Sequence, residues 1–338
     1  MKIAVIGAGA IGSLVAGYLA KAKEDILLVG RSSQVQVLNT NGLRIQGVRG
    51  SECIRLRSAL QIDQQCDLAI FTVKTQDLEN AVKENQSFLD QKTLVMTTQN
   101  GVQADRILSR HLQQDQMISS IVMFGATYIR PGEVVFNFEG DWIVGRPQAA
   151  NDARLESVAE VLKKAFPVVV SEDITGMKWL KLFVNFNNCL PALVGTTMQE
   201  TFADLDFCRL SVMLLKEGLD IVQKAGIRMV SLPQFPVERI LGLSAMPLDQ
   251  AAGILQQTLT KLSREPLYGS ILQSIIRRKP SEIDYINGEV VRLAQQNNTP
   301  VPLNRRVVEL VHQVERSGKF LKIGEVKREF DLIHVGKE

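Results

Sequence analysis

The segment from Met1 to Arg31 constrains what this chain can fold into more than any other. It opens on a short apolar run, Lys2-Ile3-Ala4-Val5-Ile6, that reads as a strand and passes at once into Gly7-Ala8-Gly9-Ala10-Ile11-Gly12. A helical pattern through Leu14, Val15, Tyr18 and Leu19 follows, then a second strand at Ile26-Leu27-Leu28-Val29 and the pair Gly30-Arg31. A G-x-G-x-x-G motif carries weight only between a strand and a helix, and here it has that setting. Gly7 permits the tight turn, Gly9 lets backbone approach a pyrophosphate, and Gly12 allows the helix to pack closely on the strand. The pyrophosphate would lie at the helix N-terminus, where unpaired N–H groups and the helix dipole favour an anion. Gly7, Ala8, Gly9, Ala10, Ile11 and Gly12 are therefore the expected phosphate loop of a dinucleotide site.

Arg31 sharpens that expectation. Sites for NAD usually carry Asp or Glu at the end of the second strand, whereas an Arg nearby accommodates a 2′-phosphate. Here the position is basic, Ser32 and Ser33 stand beside it, and no acid follows until Glu52. A guanidinium can bind phosphate through two parallel hydrogen bonds. The expected cofactor is NADP(H).

Composition agrees with a two-domain enzyme. The chain has 338 residues, of which 45% are hydrophobic and 22% charged, ordinary values for a globular protein. A net charge of +3 makes no case for a nucleic-acid partner. The first strand leaves no room for a signal peptide and no apolar run approaches membrane-spanning length, so no membrane partner and a cytoplasmic location are expected. Cys53, Cys66, Cys189 and Cys208 lack C-x-x-C spacing and read as reduced thiols. No metal site is expected.

The first half alternates strands with helices. Asp67–Val73 reads as a buried strand of a parallel sheet, a polar helix runs from about Asp77 to Leu89, and Thr93–Thr98 is the next strand. From Ile118 to Val144 short β-prone runs, broken by Pro131-Gly132 and Glu139-Gly140, read as antiparallel strands closing the sheet edge. A helix near Ala153–Ala165 and the run Pro167–Val170 end the β signal. The fold class is α/β: a Rossmann-type dinucleotide-binding domain over 1–170, then an all-helical domain over 171–338, the boundary falling in Ser171–Thr175.

Ligands of open α/β sheets bind beyond the carboxyl ends of the strands, where Lys74 and Asn100 both fall. Asn100 also suits an Asn-Gly turn with left-handed backbone. In the helical half, a helix near 177–194 carries a polar stripe. With Lys181 at zero and about 100° per residue, Asn185 lies near about 40° and Asn188 near about −20°. Leu182, Phe183, Phe186 and Leu190 spread around the rest, so the stripe would be costly to bury unless it met a polar cleft. Further on, Pro280-Ser281-Glu282-Ile283-Asp284 predicts a helix start with Ser281 and Asp284 as a capping box. Glu282 would then sit in the first turn, where the dipole stabilises a carboxylate.

Taken together these residues resemble the ketopantoate reductase family. The similarity runs through GAGAIG at 7–12, Arg31, Val73-Lys74-Thr75-Gln76, Gln99-Asn100-Gly101, Trp179-Leu180-Lys181-Leu182-Phe183-Val184-Asn185 and SEIDYING at 281–288. The resemblance implies NADPH-dependent reduction of ketopantoate to pantoate, with Lys181 as general acid and Glu282 holding the substrate hydroxyl. It also implies that Asn100, Asn185 and Ser270 position substrate, that Lys74 lines the cofactor side, and that Asn100 and Glu282 approach the cofactor too. The implied partner is a small 2-keto acid, and a homodimer is one assembly this reading admits. The chain departs from the family pattern in three places. Cys189-Leu190 replace a second Asn and a Pro, with Asn188 as the candidate substitute, and Leu267 and Ser274 stand where Asn and Asp are common. Two rivals share the early motifs: a related dehydrogenase of the 3-hydroxyacid or opine type, and a non-catalytic NADP(H) sensor, which would have no use for a proton donor.

Overall fold

The computed structural model describes residues 1–263 and 265–332. The chain divides into two compact units, Met1–Thr175 and Gly176–Glu338.

The first unit is built on strands β1 (Lys2–Ile6), β2 (Asp25–Val29), β3 (Leu43–Gly47), β4 (Glu52–Ile54), β5 (Arg57–Ala59) and β6 (Leu68–Phe71), continued by β7 (Leu94–Thr97), β8 (Met117–Val122), β9 (Gly125–Arg130), β10 (Glu133–Phe138), β11 (Trp142–Gly145) and β12 (Val168–Val170). The main sheet has the order β12-β11-β8-β7-β6-β1-β2-β5. The run from β5 to β8 is parallel throughout, and β11 joins β8 antiparallel. β1, β2, β6 and β7 read as near-continuous apolar runs because both their faces are covered. Helices α1 (Ala10–Lys21), α2 (Ser32–Asn41), α3 (Thr75–Asn85), α4 (Gln103–Leu108) and α5 (Ala153–Lys163) make the crossovers and coverings. One core cluster joins Leu14, Val15 and Leu19 of α1 to Ile3, Val5 and Leu28 of the sheet.

Ile118–Val144 is only partly what the sequence suggested. β8 and β11 do extend the main sheet, but β9 and β10 leave it and pair with β3 and β4 in a second sheet of order β4-β3-β10-β9. β10 lies antiparallel to β9 across the Pro131-Gly132 turn, where Gly132 has φ +75°, and parallel to β3. β3, β4 and β5 leave little sequence signal, being short and only partly buried.

The second unit is helical apart from one isolated bridge between Leu232 and Phe235, among the described residues. Its helices are α6 (Ile174–Val184, which begins just before the division), α7 (Cys189–Val194), α8 (Met198–Ala203), α9 (Leu205–Lys224), α10 (Val237–Ala245), α11 (Leu248–Thr260), α12 (Ser270–Ile276), α13 (Asn287–Gln296), α14 (Pro302–Ser317) and α15 (Ile323–Glu329). α9 is the spine, burying Phe207, Leu210, Leu214 and Ile221 along one side. No helix among the described residues is long and apolar enough to cross a membrane.

Two local expectations fail here. The helix near 177–194 is not continuous: α6 ends at Val184, a 3-10 turn covers Phe186–Asn188, and α7 starts at Cys189. Pro191 explains the break. It has no N–H for the Asn187 carbonyl, and its ring suits the first turn of a helix better than an interior. The helix predicted to start at Ser281 starts at Asn287 instead, after a 3-10 turn over Ile283–Tyr285. Ser281 and Asp284 form no capping box; the Ser281 Oγ accepts from the Ile283 N–H at 3.3 Å. Glu282 therefore lies in an irregular turn, with φ −103° and ψ 27°, and no α-helix dipole accounts for it.

Candidate active site

In the first unit, the chain runs outward from β1 on one side and then on the other, so the sheet's switch point lies between β1 and β6. The glycine loop sits there. Gly7 has φ +117°, and a side-chain carbon on it would lie 2.8 Å from the Val73 nitrogen. A carbon on Gly12 would come within 1.9 Å of the Gly7 carbonyl oxygen and 2.3 Å of Thr72 Oγ1. Gly9 differs: nothing lies within 4 Å of the same position. Gly9 is also the N-cap of α1 and offers no side-chain cap to the helix's first N–H groups. An open approach over an uncapped helix start is the cradle a pyrophosphate needs, so Gly7, Ala8, Gly9, Ala10, Ile11 and Gly12 fit a dinucleotide.

Arg31 is exposed as the N-cap of α2, directly beyond the end of β2, and its guanidinium makes no ion pair among the described residues. A residue the sequence did not flag ties it to the loop. Gln34 Oε1 accepts from the Arg31 N–H at 3.0 Å, while Gln34 Nε2 donates to the Ala8 carbonyl at 2.6 Å and to the Tyr128 hydroxyl at 3.2 Å. Lys74 follows β6 as the N-cap of α3. Gln99 fixes its approach, with Nε2 donating to the Phe71 and Val73 carbonyls at 2.8 Å each. Asn100 follows β7 and is half-buried; the left-handed residue of its turn is Gly101, at φ +80°, and not Asn100. The loop, Arg31, Lys74 and Asn100 thus gather at the carboxyl edge of one sheet.

In the second unit, Lys181 lies in the last turn of α6. Burial lowers its pKa from the ordinary lysine value to about 8, and no carboxylate pairs with it among the described residues. The Asn185 N–H is shared between the Lys181 and Leu182 carbonyls, at 3.1 Å each, which marks the tightening into the 3-10 turn. Asn188 is half-buried at the end of that turn, and its Oδ1 would lie 3.0 Å from a side-chain carbon on Gly269. Gly269 is the N-cap of α12, so Asn188 lies against the start of the helix that Ser270 opens, and Ser270 itself is exposed. Cys189 is fully buried; its thiol donates to the Phe186 carbonyl at 3.2 Å. Burial pushes that thiol up to about 12, against hydrogen bonds that include one to Asn287. Asn188, Ser270 and the start of α13 are thereby brought together around α7, and Cys189 points into the core.

The Glu282 turn is held from α14, by residues that no local pattern connects with it. The Ser281 N–H donates to Glu315 Oε1 at 2.7 Å, and His312 stands between Glu315 and Asp284, with 2.9 Å to each. Among the described residues no group of three or more His, Cys, Asp or Glu side chains could hold a metal ion.

Comparison with known proteins gives this arrangement a family. Residues 3–149 match the model described as Ketopantoate reductase PanE/ApbA, and residues 173–315 match its C-terminal counterpart. The chain belongs to the ketopantoate reductase family. The 2-dehydropantoate 2-reductase of Pyrococcus horikoshii is 31% identical over 322 residues, covering 94% of this chain and 99% of that protein. That of Pyrococcus abyssi is 31% identical over 311 residues, covering 90% and 94%. Among solved structures, a PanE/ApbA family ketopantoate reductase from Ralstonia eutropha superposes with a TM-score of 0.80 at 25% identity, covering 94% of this chain and 99% of that one. D-mandelate dehydrogenase, solved with NADH and anilino(oxo)acetate, shares the fold with a TM-score of 0.80 at 23% identity, covering 94% and 99%. The chain is thus an oxidoreductase of the ketopantoate reductase family, with the α/β N-terminal and helical C-terminal parts that its members show.

Proposed function

We propose that this protein reduces ketopantoate to pantoate with NADPH, a step toward pantothenate and coenzyme A. The observation that carries the proposal is Lys181: an ammonium with no carboxylate partner among the described residues, whose burial brings its pKa to about 8. A general acid works best with a pKa near the working pH, and a desolvated positive charge also stabilises an oxyanion before the proton moves.

Bound reduced nicotinamide supplies the hydride for the keto carbon. The chain's own residues do the rest. Gly7–Gly12 hold the pyrophosphate, Arg31 takes the 2′-phosphate, and Lys74 lines the cofactor side. Lys181 gives its proton to the carbonyl oxygen as the carbon is reduced, leaving a neutral amine that solvent reprotonates. Asn100, Asn185, Asn188 and Ser270 orient the keto acid, and Glu282 accepts from its distal hydroxyl while approaching the cofactor with Asn100. In this reading residues 1–170 hold most of the cofactor and 171–338 most of the substrate, with Asn100 and Glu282 each serving both.

The test is oxidation of NADPH by the purified protein with ketopantoate and a panel of other 2-keto acids. Ketopantoate is expected to give the highest kcat/KM; cofactor binding without turnover of any keto acid would leave a sensor, and turnover of amino-acid-derived imines or 3-keto acids added to the same panel would leave a related dehydrogenase. One observation favours a second reading, in which another branched 2-keto acid is preferred. Cys189 places a buried thiol, turned toward the Phe186 carbonyl, where the family pattern has an amide.

A further inference from the structure

The segment that carries Glu282 has little regular structure of its own. Arg278 has φ +52°, Pro280 follows, and Glu282 begins a single 3-10 turn that ends where Ile286 takes φ −114° and ψ −91°. A carboxylate on such a turn needs outside support to hold one position. Two anchors from α14 bracket it. Glu315 takes the backbone N–H of Ser281, one residue before Glu282, at 2.7 Å. His312 takes the side chain of Asp284, two residues after it, at 2.9 Å. The same imidazole closes the bracket by meeting Glu315 through its other nitrogen at 2.9 Å.

We propose that His312 is a positioning residue for substrate, its doubly donating imidazolium holding the Glu282 turn in the geometry that binds the distal hydroxyl; this rests on the reading of Glu282 given above. An ionised carboxylate can only accept, so a ring that bonds one carboxylate at each nitrogen must donate from both. Only the imidazolium does that. When it loses a proton, one nitrogen becomes an acceptor facing a carboxylate, and one anchor of the turn is replaced by repulsion. Burial opposes the ring's charge, yet the hydrogen bonds it donates to Asp284 and Glu315 outweigh that and raise the His312 pKa above the ordinary histidine value. Those two carboxylates are the groups that face the ring. The other elements around α14 direct their charges elsewhere: α13 pairs Glu289 with Arg292, α9 uses Glu217 to cap Leu303 and Asn304, α15 pairs Glu329 with Arg306, and α7 has no charged residue.

The consequence is a pH dependence in substrate affinity from a group that never touches substrate. It acts on KM for a hydroxyl-bearing keto acid, whereas loss of the proton from Lys181, whose pKa burial lowers to about 8, acts on the turnover of any keto acid. Linkage also runs in reverse: a ligand that favours the held turn must raise the His312 pKa.

The test compares wild type, His312→Gln and Glu282→Gln across pH, with ketopantoate and with ketoisovalerate, a branched 2-keto acid lacking the distal hydroxyl. The wild-type KM for ketopantoate is expected to rise by about 5-fold or more as the imidazolium is lost, the lower end of the usual coupling between two sites. In His312→Gln it is expected to be raised already and flat over that window, while the ketoisovalerate KM is little changed in either protein. A wild-type pH profile in His312→Gln, or equal losses for both keto acids, would overturn the proposal. If Glu282→Gln leaves the ketopantoate KM unchanged, the Glu282 reading falls and takes this one with it. If Glu282→Gln raises that KM and His312→Gln does not, only the positioning role falls. A second measurement needs no variant: the His312 ring titrated by NMR with and without pantoate. A higher pKa with pantoate bound supports the proposal, and an unchanged one overturns it.

Discussion

Replacing Lys181 with Met should make this protein more stable and almost inactive. The two side chains are close in length, so packing is kept while the charge is removed. Burial lowers the Lys181 pKa from 10.5 to about 8. At about 1.36 kcal/mol per unit, that shift corresponds to an upper bound of about 3 kcal/mol held against the folded state. Lys181 keeps some exposure, and solvent screening removes part of this, so a gain of about 1–3 kcal/mol is expected at neutral pH. The sign follows from proton counting. Below pH 8 both folded and unfolded wild type hold the proton, and the burial penalty is fully present. Between about 8 and 10.5 the unfolded chain binds more protons, so wild-type stability from this group rises with pH and the advantage of the Met variant shrinks. Urea unfolding at pH 7 and again near pH 10 would measure both effects. Meanwhile kcat should fall by about 10²- to 10⁴-fold, the usual worth of a general acid. A Met variant less stable than wild type at pH 7, or one that turns over normally, would refute the placement of a desolvated proton donor at this position.

Three further outcomes are expected. Arg31→Asp should weaken NADPH binding by about 1.5–3 kcal/mol, a charge-assisted hydrogen bond's worth, with a much smaller effect on NADH; an unchanged preference in cofactor titrations would remove Arg31 from the phosphate site. Gly9→Ala and Gly12→Ala should behave oppositely. The first, with open space around the added carbon, should keep its melting temperature and lose cofactor affinity; the second, driven to 1.9 Å from the Gly7 carbonyl, should lose stability outright. Finally, kcat/KM for keto-acid reduction should decline as pH rises through about 8, where Lys181 loses its proton, and that of the reverse oxidation should climb through the same range; parallel profiles in the two directions would contradict an acid-base role.

The parts of the fold written in local sequence were legible. A strand, a glycine loop and a helix in immediate succession leave few alternatives, and buried parallel strands such as Leu68–Phe71 announce themselves as uninterrupted apolar runs. The second sheet was not legible because β3, β4 and β5 are short and half-exposed, and because β10 pairs with β3 across a long stretch of chain. Pro191 did signal the break between α6 and α7, but a stripe projected at a fixed angle per residue ran through it. The turn at Ser281 misled for a different reason. Its residue types fit a capping box, while its actual partners, His312 and Glu315, lie on a later helix. Gln34 was missed in the same way, since its value lies in reaching Ala8 and Tyr128. Candidate residues came from motifs; the groups that hold them in place came from tertiary pairing that no local pattern encodes.

In the proposed reaction hydride and proton arrive on one carbonyl, the proton from Lys181. This is tested most directly by supplying NADPH deuterated at the transferring position together with ketopantoate, and examining the product by mass spectrometry and NMR. Pantoate carrying one deuterium on carbon 2 is expected with wild type, and formation of that product slowed by at least about 10²-fold with Lys181→Ala while NADPH affinity is retained. Unlabelled pantoate, no hydroxy acid at all, or labelled product formed at the wild-type rate by Lys181→Ala would contradict it.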